Sequence, residues 1–472
     1  MSDFDVIVLG GGPAGEHCAA RLADGGLRVA IVERELLGGE CSYWGCIPSK
    51  TLVRPGEALQ AGRDAAVRGG SIDVAEALAW RDYVVSGYDD AGQASWASAE
   101  GIEVLRGAGR LDGPGRVHVG HKTYTARDIV IATGSDPVIP PIPGLRALDG
   151  IWTNREATGF TEFPRRLLVL GGGPVGLELG QALARMGASV AIVEGADRLL
   201  AREPAPLGEA IADALGADGV EIHLGRHATS ARRDGEKFVL ELDGGAELHG
   251  DRLLVATGRR PRVDGLGLES VGLERVEADA RMSAGDRLWA IGDVTGIWPL
   301  TYVGKYQARI AAANILGARR EADYSAVPRV VFTDPQAAAV GEADGPLSAT
   351  VPLAEVARTA TYTREFATRP GFLTLVSDGE RVTGAYAVGP DTGEWLQQAT
   401  LAIRARVPLD VFADVIQPFP TFSEAFLHAL QQLTTKEPSW PSSAPAGSST
   451  APAPPPSSPP RSPSPRSAVS AS

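Results

Sequence analysis

The sequence predicts an α/β protein with two Rossmann-like, doubly wound nucleotide-binding domains and a C-terminal α+β domain. A strand, a glycine turn, a helix and a second strand follow one another twice, at Asp3 to Arg34 and at Arg165 to Arg198. The apolar strands VIVL and LLVL in these repeats are typical of parallel sheets that are buried on both faces. From about Ala326, strand-like segments such as VVFTDPQAAAVG and a helical segment near Glu394 predict the α+β domain.

Each repeat carries a G-x-G-x-x-G motif directly after its first strand and an acidic residue at the end of its second strand. The residues are Gly10, Gly12, Gly15 and Glu33 in the first repeat, and Gly171, Gly173, Gly176 and Glu194 in the second. Such glycines allow a tight turn, a close approach of a pyrophosphate and close helix–strand packing. The helix N-terminus then faces the phosphates, and the acid binds ribose hydroxyls. The alternative is that these are glycine turns of an ordinary α/β sheet. It does not explain why the motif and its acid occur twice.

The repeats divide the chain into five expected regions. A first nucleotide-binding domain spans 1–150 and continues over 271–325, a second spans 151–270, the α+β domain spans 326–435, and a tail spans 436–472. The tail consists largely of Pro, Ser and Ala. Because it cannot bury enough apolar surface to offset the entropy of ordering, we expect it to be disordered.

The composition argues against several other functions. The chain has 472 residues and a formal net charge of -13, whereas nucleic-acid binding needs a basic face. No apolar run approaches the roughly 18 residues of a membrane span, and the start, MSDFDVIVLGGG, lacks the basic residues of a signal peptide. We therefore expect a cytoplasmic protein with small-molecule partners and with neither nucleic-acid nor membrane partners.

Two of the three cysteines, Cys41 and Cys46, lie five positions apart in GGECSYWGCIPSK. In a reducing compartment, a close pair indicates catalysis or metal binding. A structural zinc site needs about four Cys or His ligands; there is no second cysteine pair and the nearest histidine, His17, is distant in sequence, so we expect no metal. Five positions correspond to about 140° on a regular helix, so the two sulfurs can bridge only in a distorted turn, which Gly45 permits. Cys18, in the first predicted helix, is expected to be a buried structural thiol.

Taken together, these segments resemble the pyridine nucleotide–disulfide oxidoreductases, the family of dihydrolipoamide dehydrogenase, glutathione reductase and mercuric reductase. The resemblance covers roughly residues 3–433. It rests on GGGPAG, GGECSYWGCIPSK, two ATG segments, GGGPVGLE, AIGD and, imperfectly, QPFPTFSE. It implies FAD on the first repeat, NAD(P)H on the second, a homodimer formed through the C-terminal domain, and a redox-active Cys41–Cys46 disulfide. Hydride would pass between NAD(P)H, FAD and this disulfide.

The resemblance also implies roles for single residues. Cys46 would face the flavin as a charge-transfer thiolate, and Cys41 would attack or release the substrate. Lys50 would lie near flavin N5 and pair with Glu178. The alternatives are that Lys50 is a solvated surface lysine and that Glu178 is an ordinary helix residue. Further implied cofactor contacts are Gly109, Thr133, Gly134, Gly258, Gly292, Asp293 and Thr301.

The acid of the second repeat predicts which nicotinamide cofactor is used. A carboxylate at Glu194 accepts hydrogen bonds from a ribose 2′-hydroxyl and repels a 2′-phosphate. We therefore expect NADH rather than NADPH. Arg198, four residues later, could weaken this preference, although a surface charge is its simpler interpretation.

The C-terminal motif departs from the family pattern. The disulfide reductases usually carry His-Pro-Thr-x-x-Glu, whereas this chain has Phe419 at the histidine position and Glu424 at the glutamate position. Phenylalanine cannot transfer a proton, and general acid–base catalysis typically contributes about 10²–10⁴-fold. Thiol–disulfide exchange should therefore be slowed, and Glu424, the remaining catalytic position, lacks its partner. Mercury reduction is not expected, because no cysteine follows Cys46 to form the second pair of mercuric reductases.

The sequence thus predicts an FAD-dependent, dihydrolipoamide dehydrogenase-like oxidoreductase. One alternative is an NAD(P)H-dependent reductase of a quinone or a metal ion, because such acceptors need no acid/base for a dithiol. Another is a non-catalytic flavoprotein subunit with a vestigial disulfide. The complete set of Cys41, Cys46, Lys50 and Glu178 argues against the latter.

Overall fold

The structure, a computed structural model, describes residues 2–362 and 371–434. Within these ranges the chain forms two largely parallel sheets with helices around them, an antiparallel C-terminal sheet and smaller sheets. This arrangement agrees with the predicted α/β class and its C-terminal α+β domain. The tail that we expect to be disordered, 436–472, lies outside the described residues. No helix in the two described ranges is both long and apolar enough to cross a membrane.

The first part of the chain contains the first repeat and, after it, a helical stretch that includes α3, which begins at Cys46. Its strands are β1 (Phe4–Leu9), β2 (Val29–Glu33), β3 (Glu103–Arg106), β4 (Gly109–Leu111), β5 (Arg116–Val119), β6 (Lys122–Ile131) and β7 (Ser135–Pro137). Its helices are α1 (Pro13–Asp24), α2 (Gly39–Tyr43), α3 (Cys46–Asp64), α4 (Val74–Val84) and α5 (Ala91–Ala99).

The middle of the chain contains the second repeat. Its strands are β8 (Arg166–Leu170), β9 (Ser189–Glu194), β10 (Glu221–Leu224), β11 (Ala228–Asp234), β12 (Lys237–Leu242), β13 (Glu247–Gly250), β14 (Arg252–Val255) and β15 (Arg259–Pro261). Its helices are α6 (Asn154–Gly159), α7 (Pro174–Arg185) and α8 (Ala205–Ala217). The helices of the two repeats, α1 and α7, begin alike, with a glycine N-cap and a proline in the first turn, where proline is tolerated best.

The last part of the chain returns to the first sheet and then forms the C-terminal domain. Its strands are β16 (Ser283–Gly285), β17 (Leu288–Ala290), β18 (Arg329–Val331), β19 (Gln336–Gly341), β20 (Leu347–Pro352), β21 (Phe372–Ser377) and β22 (Val382–Gly389). Its helices are α9 (Thr301–Ile315), α10 (Ala357–Tyr362), α11 (Thr392–Trp395), α12 (Gln397–Ala405), α13 (Leu409–Ala413) and α14 (Glu424–Leu433).

The two nucleotide-binding sheets share one topology around their glycine turns. The first has the strand order β16-β17-β6-β1-β2-β3, and β1 is parallel to both β2 and β6. The second has the order β10-β9-β8-β14, and β8 is parallel to both β9 and β14. In each sheet later strands lie on both sides of the first strand of the repeat, so the strand order reverses there. Doubly wound sheets bind ligands at this switch point, beyond the carboxyl ends of the strands.

Alternate residues of the central strands enter two separate cores, which explains their unbroken apolar sequence. Val6 and Val8 belong to one cluster of buried side chains, and Ile7 and Leu9 belong to another. The second repeat does the same with the residues of β8. The prediction of sheets that are buried on both faces is confirmed.

The C-terminal domain is a five-stranded antiparallel sheet in the order β18-β19-β22-β21-β20. Helix α14 packs on β20 and β21. The loop between β18 and β19 reaches back to α7, so this domain contacts the second repeat.

Candidate active site

The first glycine turn is fixed by close backbone contacts and by one acid. A Cβ atom at Gly10, where φ is +110°, would lie 2.3 Å from the carbonyl oxygen of Ala132. A Cβ atom at Gly15 would lie 1.9 Å from the carbonyl oxygen of Gly10. The carboxylate of Glu33 accepts hydrogen bonds from the Gly11 N–H, at 2.8 Å, and from the Glu35 N–H, at 2.8 Å. A side chain at either glycine position would collide with the backbone. Only glycine therefore allows the turn that places the N-terminus of α1 at the edge of the sheet.

The second glycine turn repeats this geometry. A Cβ atom at Gly171, where φ is +114°, would lie 2.5 Å from the carbonyl oxygen of Ala256, and one at Gly176 would lie 2.3 Å from that of Gly171. The carboxylate of Glu194 accepts hydrogen bonds from the Gly172 N–H, at 2.6 Å, and from the Ala196 N–H, at 2.7 Å. Each carboxylate oxygen has further acceptor capacity. Both acids are therefore still able to accept a ribose hydroxyl.

A cleft with about 760 Å³ of empty space, part of it open to solvent, lies at the first turn. Pockets for cofactors are typically about 300–1,000 Å³. Most of the predicted first-repeat contacts line it, together with Cys41: Gly10, Gly12, Glu33, Thr133, Gly134, Gly292, Asp293 and Thr301. The cleft therefore combines a helix N-terminus for a pyrophosphate, an acid for a ribose and a cysteine at its edge. This combination fits FAD.

Gly109, Gly258 and Glu424 are predicted site residues that do not line this cleft. Gly109 is in β4, where a Cβ atom would lie 2.8 Å from Leu9 Cδ2, so core packing requires the glycine. Gly258 lies just beyond Ala256, beside the second turn, and its φ of +128° requires glycine there. Glu424 begins α14 in the C-terminal domain, and within the described chain its Oε2 atom is buried without a hydrogen bond.

The two cysteines meet across a break between two helices. Cys41 is in α2, which ends at Tyr43, and Cys46 begins α3. The intervening Gly45 has φ -126° and ψ -114°, and a Cβ atom there would lie 3.1 Å from the Cα atom of Cys41. The sequence-based expectation that only a distorted turn brings the pair together is confirmed.

A single hydroxyl contacts both sulfurs. Thr301 Oγ1 donates a hydrogen bond to Cys41 Sγ at 3.3 Å and lies 3.4 Å from Cys46 Sγ. Both cysteines are free thiols in the structure, and both sulfurs lie within hydrogen-bond distance of the same hydroxyl. A disulfide requires neighbouring sulfurs of this kind, so the arrangement permits one. Cys18, in contrast, is fully buried in α1, and burial raises the pKa of its thiol to about 12.

The surroundings make Cys46 the more acidic thiol of the pair. Its pKa is lowered to about 6, chiefly by its hydrogen bond with Cys41. The Thr301 hydroxyl and the Lys50 charge act in the same direction and help to outweigh burial. The pKa of Cys41 is raised well above its usual value by the same hydrogen bond and by burial. The pair is therefore polarised, which means that Cys46 ionises more readily than Cys41. The thiolate is the reactive form of cysteine.

Lys50, in α3, forms a salt bridge with Glu178 of the second repeat. Lys50 Nζ lies 2.7 Å from Glu178 Oε2, and the glutamate side chain is only 6% exposed. The other oxygen, Oε1, accepts the backbone N–H of Phe332 at 2.9 Å, and the Phe332 ring lies 4.6 Å from the ammonium. The predicted pairing is present, and the solvated-lysine alternative does not describe it.

Sequence reasoning did not identify Phe332 or the basic side chains around the cleft. Arg155, Arg259 and Arg262 all line it. The run RRPR, directly after the second ATG segment, was the available signal for two of them, because β15 pairs with β7, the strand that follows β6 of the first sheet. Arg155 has no sequence motif that would identify it.

Phe419, at the histidine position of the C-terminal motif, is far more exposed than either cysteine. Phe419 is 73% exposed, and its neighbour Ile416 is 94% exposed. No hydrogen bond or ion pair within the described residues connects this segment to Cys41 or Cys46. Within the described part of one chain, the motif therefore supplies no hydrogen-bonding or charged group to the sulfurs.

A fold with two dinucleotide turns and a polarised thiol pair beside one of them defines a class of enzymes, the two-dinucleotide oxidoreductases. Residues 4–310 match the pyridine nucleotide-disulphide oxidoreductase family, and residues 327–430 match its dimerisation domain. The chain belongs to this family. It is an FAD-dependent oxidoreductase with NAD(P)H as its nicotinamide cofactor.

The similar proteins are named for different acceptors. The dihydrolipoyl dehydrogenase of Thermus scotoductus is 34% identical over 465 residues, which cover 92% of this chain and 98% of that protein. The mercuric reductase of Acidithiobacillus ferrooxidans is 35% identical over 461 residues, covering 92% and 83%. A solved Cu(II) complex of the HOCl-induced flavoprotein disulfide reductase RclA from Escherichia coli has a TM-score of 0.81 at 28% identity, covering 92% of this chain and 100% of that one. These similar proteins therefore agree on the family and differ in the electron acceptor.

Proposed function

We propose that this chain is an NADH-dependent reductase in which Cys41 and Cys46 alternate between a disulfide and a dithiol. The observation that carries the proposal is the Thr301 hydroxyl, which contacts both sulfurs at the edge of the cleft. The overall change converts NADH and the disulfide into NAD⁺, one thiol and one thiolate. Two electrons and one proton are transferred, so the step balances without another reactant.

The residues of the cleft divide between two cofactors. Gly10, Gly12 and Glu33 hold FAD, whose bound flavin supplies a two-electron link between nicotinamide and sulfur. Asp293 and Thr301 line the same cleft as Cys41. The second turn holds the nicotinamide dinucleotide through its glycines and Glu194, and the carboxylate selects NADH over NADPH because it repels a 2′-phosphate.

Within the pair, the two cysteines have different tasks. Cys46 holds the negative charge after reduction, because Cys41, Thr301 and Lys50 all favour its thiolate. Cys41 keeps the proton and is the sulfur that meets the acceptor. Glu178 fixes the Lys50 ammonium through the 2.7 Å salt bridge, so the charge near Cys46 is held in place.

The acceptor is most simply a disulfide, as in dihydrolipoyl dehydrogenases, with water in place of the missing acid/base group. A reducible metal ion or a quinone is the second candidate, because Phe419 removes the group that a dithiol acceptor needs. The names of two similar proteins, a mercuric reductase and a reductase solved with Cu(II), favour a metal ion within this alternative. A vestigial, non-catalytic role does not account for the contact between the thiols or for the Lys50–Glu178 pair.

We also propose a cytoplasmic homodimer formed through the C-terminal domain. The domain matches the family's dimerisation domain. It exposes four apolar side chains that a second copy would cover: Val411, Val415, Ile416 and Phe419. A monomeric mass in light scattering would contradict this assembly.

An acceptor screen with a matched pair of variants tests the choice of acceptor. We expect Phe419→His to raise turnover of lipoamide by about 10²-fold, because it restores a group able to transfer a proton, and Phe419→Leu to leave it unchanged. Reduction of Cu(II) and of a simple benzoquinone should respond to neither change. If the wild type already reduces lipoamide as fast as Phe419→His, then Phe419 is not the block. If the wild type and Phe419→His both reduce the quinone or Cu(II) but not lipoamide, the acceptor is a quinone or a metal ion.

A further inference from the structure

The turn between the two cysteines is held from outside by the first residues of α6. Asn154 Nδ2 donates hydrogen bonds to Glu40 Oε1, at 2.9 Å, and to the carbonyl oxygen of Trp44, at 2.8 Å. Arg155 donates to Glu40 Oε2 from Nη2, at 2.8 Å, and from Nε, at 3.1 Å. Glu40 directly precedes Cys41, and Trp44 lies between the cysteines. Two consecutive residues of α6 therefore hold both sides of Cys41.

Arg155 also packs on the turn. Its guanidinium lies 4.1 Å from the centre of the Trp44 ring, and that ring also stacks with Tyr88 at 6.0 Å, with an interplanar angle of 25°. Arg155 reaches Glu35 as well, at 2.8 and 3.1 Å. A planar guanidinium is suited to stacking and bidentate pairing at the same time, and lysine is not.

The charges in this contact are largely removed from water. The side chains of Arg155 and Glu40 are 26% and 21% exposed, and Arg259 and Arg262 lie 3.7 and 3.9 Å from the same carboxylate. Burial alone would raise the pKa of Glu40, but the hydrogen bonds from Arg155 and Asn154 outweigh it and keep the pKa below its usual value. Glu40 is therefore ionised, and charge-assisted hydrogen bonds of this kind are about twice as strong as neutral ones.

The turn needs such support because its own sequence does not bring the sulfurs together. The two cysteines belong to different helices, and the connection at Gly45 has no hydrogen-bonding side chain to fix it. We propose that Asn154 and Arg155 are positioning residues, which hold the turn so that both sulfurs remain against Thr301. The inference rests on the proposed function only because that function gives the cysteine pair a redox role.

The variant that tests it is Arg155→Met, with Arg252→Met as its matched control. Arg252 also pairs with a glutamate, Glu162 at 2.9 Å, and also lies over a tryptophan, Trp152 at 5.7 Å, but makes no contact with the turn. Arg155→Lys keeps the charge and loses the planar contact. Glu40→Gln keeps the shape and loses the charge, and it serves if Arg155→Met does not fold.

The first measurement is the pH dependence of iodoacetamide alkylation of Cys46 in the reduced holoenzyme, followed by peptide mass spectrometry. The groups that face Cys46 are Cys41, Thr301, Lys50, Glu178 and Tyr302, and none of them is altered in these variants. Arg155→Met should move the alkylation midpoint upward by about one pH unit or more, toward that of an ordinary thiol, because the bonds to Cys41 and Thr301 loosen. Arg155→Lys should lie between, and Arg252→Met should match the wild type.

The second measurement is the rate at which diamide converts the reduced pair into the disulfide. A displaced group can cost up to about 10²-fold in rate, so we expect Arg155→Met to slow closure by about tenfold to a hundredfold. A midpoint and a closure rate equal to those of Arg252→Met would overturn the inference. If no protein, including the wild type, forms the disulfide, the proposed function fails, and the alkylation midpoint still decides whether Arg155 positions the pair.

Discussion

The two glycine turns are nearly the same in backbone geometry and very different in surroundings. In both, the first glycine has φ between +110° and +114°, and the third glycine contacts the carbonyl oxygen of the first. In both, an acid at the end of the second strand accepts two backbone N–H groups. Only the first turn, however, is followed by the cysteine pair. The shared geometry binds a dinucleotide, and the added residues decide what happens to it.

The residues added at the first turn come from distant parts of the chain. Thr301 opens α9, Asn154 and Arg155 open α6, and Glu178 belongs to the second repeat itself. The second turn thus contributes to the chemistry of the first through α7. We next consider substitutions, in order of decreasing effect, that alter the features in which the two turns differ or agree.

The largest effect is expected when the chemistry of the first turn is removed. Cys46→Ser should lower NADH-dependent reduction of a disulfide such as dithiobis(nitrobenzoate) by roughly three orders of magnitude, as for the loss of other catalytic nucleophiles. FAD content, measured by absorbance after denaturation, should stay the same. Cys18→Ala is the control, because Cys18 is buried in α1 away from the cleft. Equal turnover by Cys46→Ser and Cys18→Ala would show that the pair is not used.

The next effect separates the two cofactors. A methyl group at Gly15 or Gly176 would lie 1.9 or 2.3 Å from a carbonyl oxygen, so the turn has to open. Overpacking of this kind costs about 1–3 kcal/mol, which corresponds to roughly tenfold or more in binding. Gly15→Ala should lose FAD during purification, and Gly176→Ala should keep FAD and raise the KM for NADH. Loss of FAD from both variants would mean that the two turns are not independent sites.

A smaller effect is expected from the hydroxyl between the sulfurs. Thr301→Val removes a hydrogen bond worth about 0.5–1.5 kcal/mol, so the pKa of Cys46, lowered to about 6 in the wild type, should rise by up to about one unit. After two-electron reduction, the thiolate absorbance band should therefore develop at higher pH. Thr301→Ser, which keeps the hydroxyl, should behave as the wild type. An unchanged titration in Thr301→Val would remove this residue from the account.

The smallest effect concerns the acid of the second turn. Glu194→Gln removes the charge that repels a 2′-phosphate, so the ratio of kcat/KM for NADH to that for NADPH should fall by about tenfold or less. Glu33→Gln, the corresponding change at the first turn, should leave this ratio unaltered. A wild type that prefers NADPH would contradict the interpretation of Glu194 directly.

The parts predicted from the sequence are those with local signals. The glycine turns, their acids and the buried strands follow from residues close together in the chain, and the structure places them as expected. The distortion at Gly45 was likewise predictable, because a regular helix cannot bring Cys41 and Cys46 together. Gly109 was assigned to the cofactor from the resemblance, whereas the structure gives it a packing role against Leu9.

The parts that the sequence did not predict depend on contacts over long distances in the chain. Asn154 and Arg155 contact the cysteine turn from 110 to 115 residues away. Phe332 reaches Glu178 from 154 residues away, through a backbone N–H that no side-chain pattern can indicate. Such contacts arise only once the sheets have folded against one another.

The most direct test of the central claim is an anaerobic titration of the purified protein with NADH, followed by full visible spectra. We predict a long-wavelength thiolate-to-flavin band after two-electron reduction, because electrons reach the sulfur pair and Cys46 holds the resulting charge. Direct bleaching of the flavin without that band would contradict the account. The cysteine pair would then be bypassed, despite its position at the cleft.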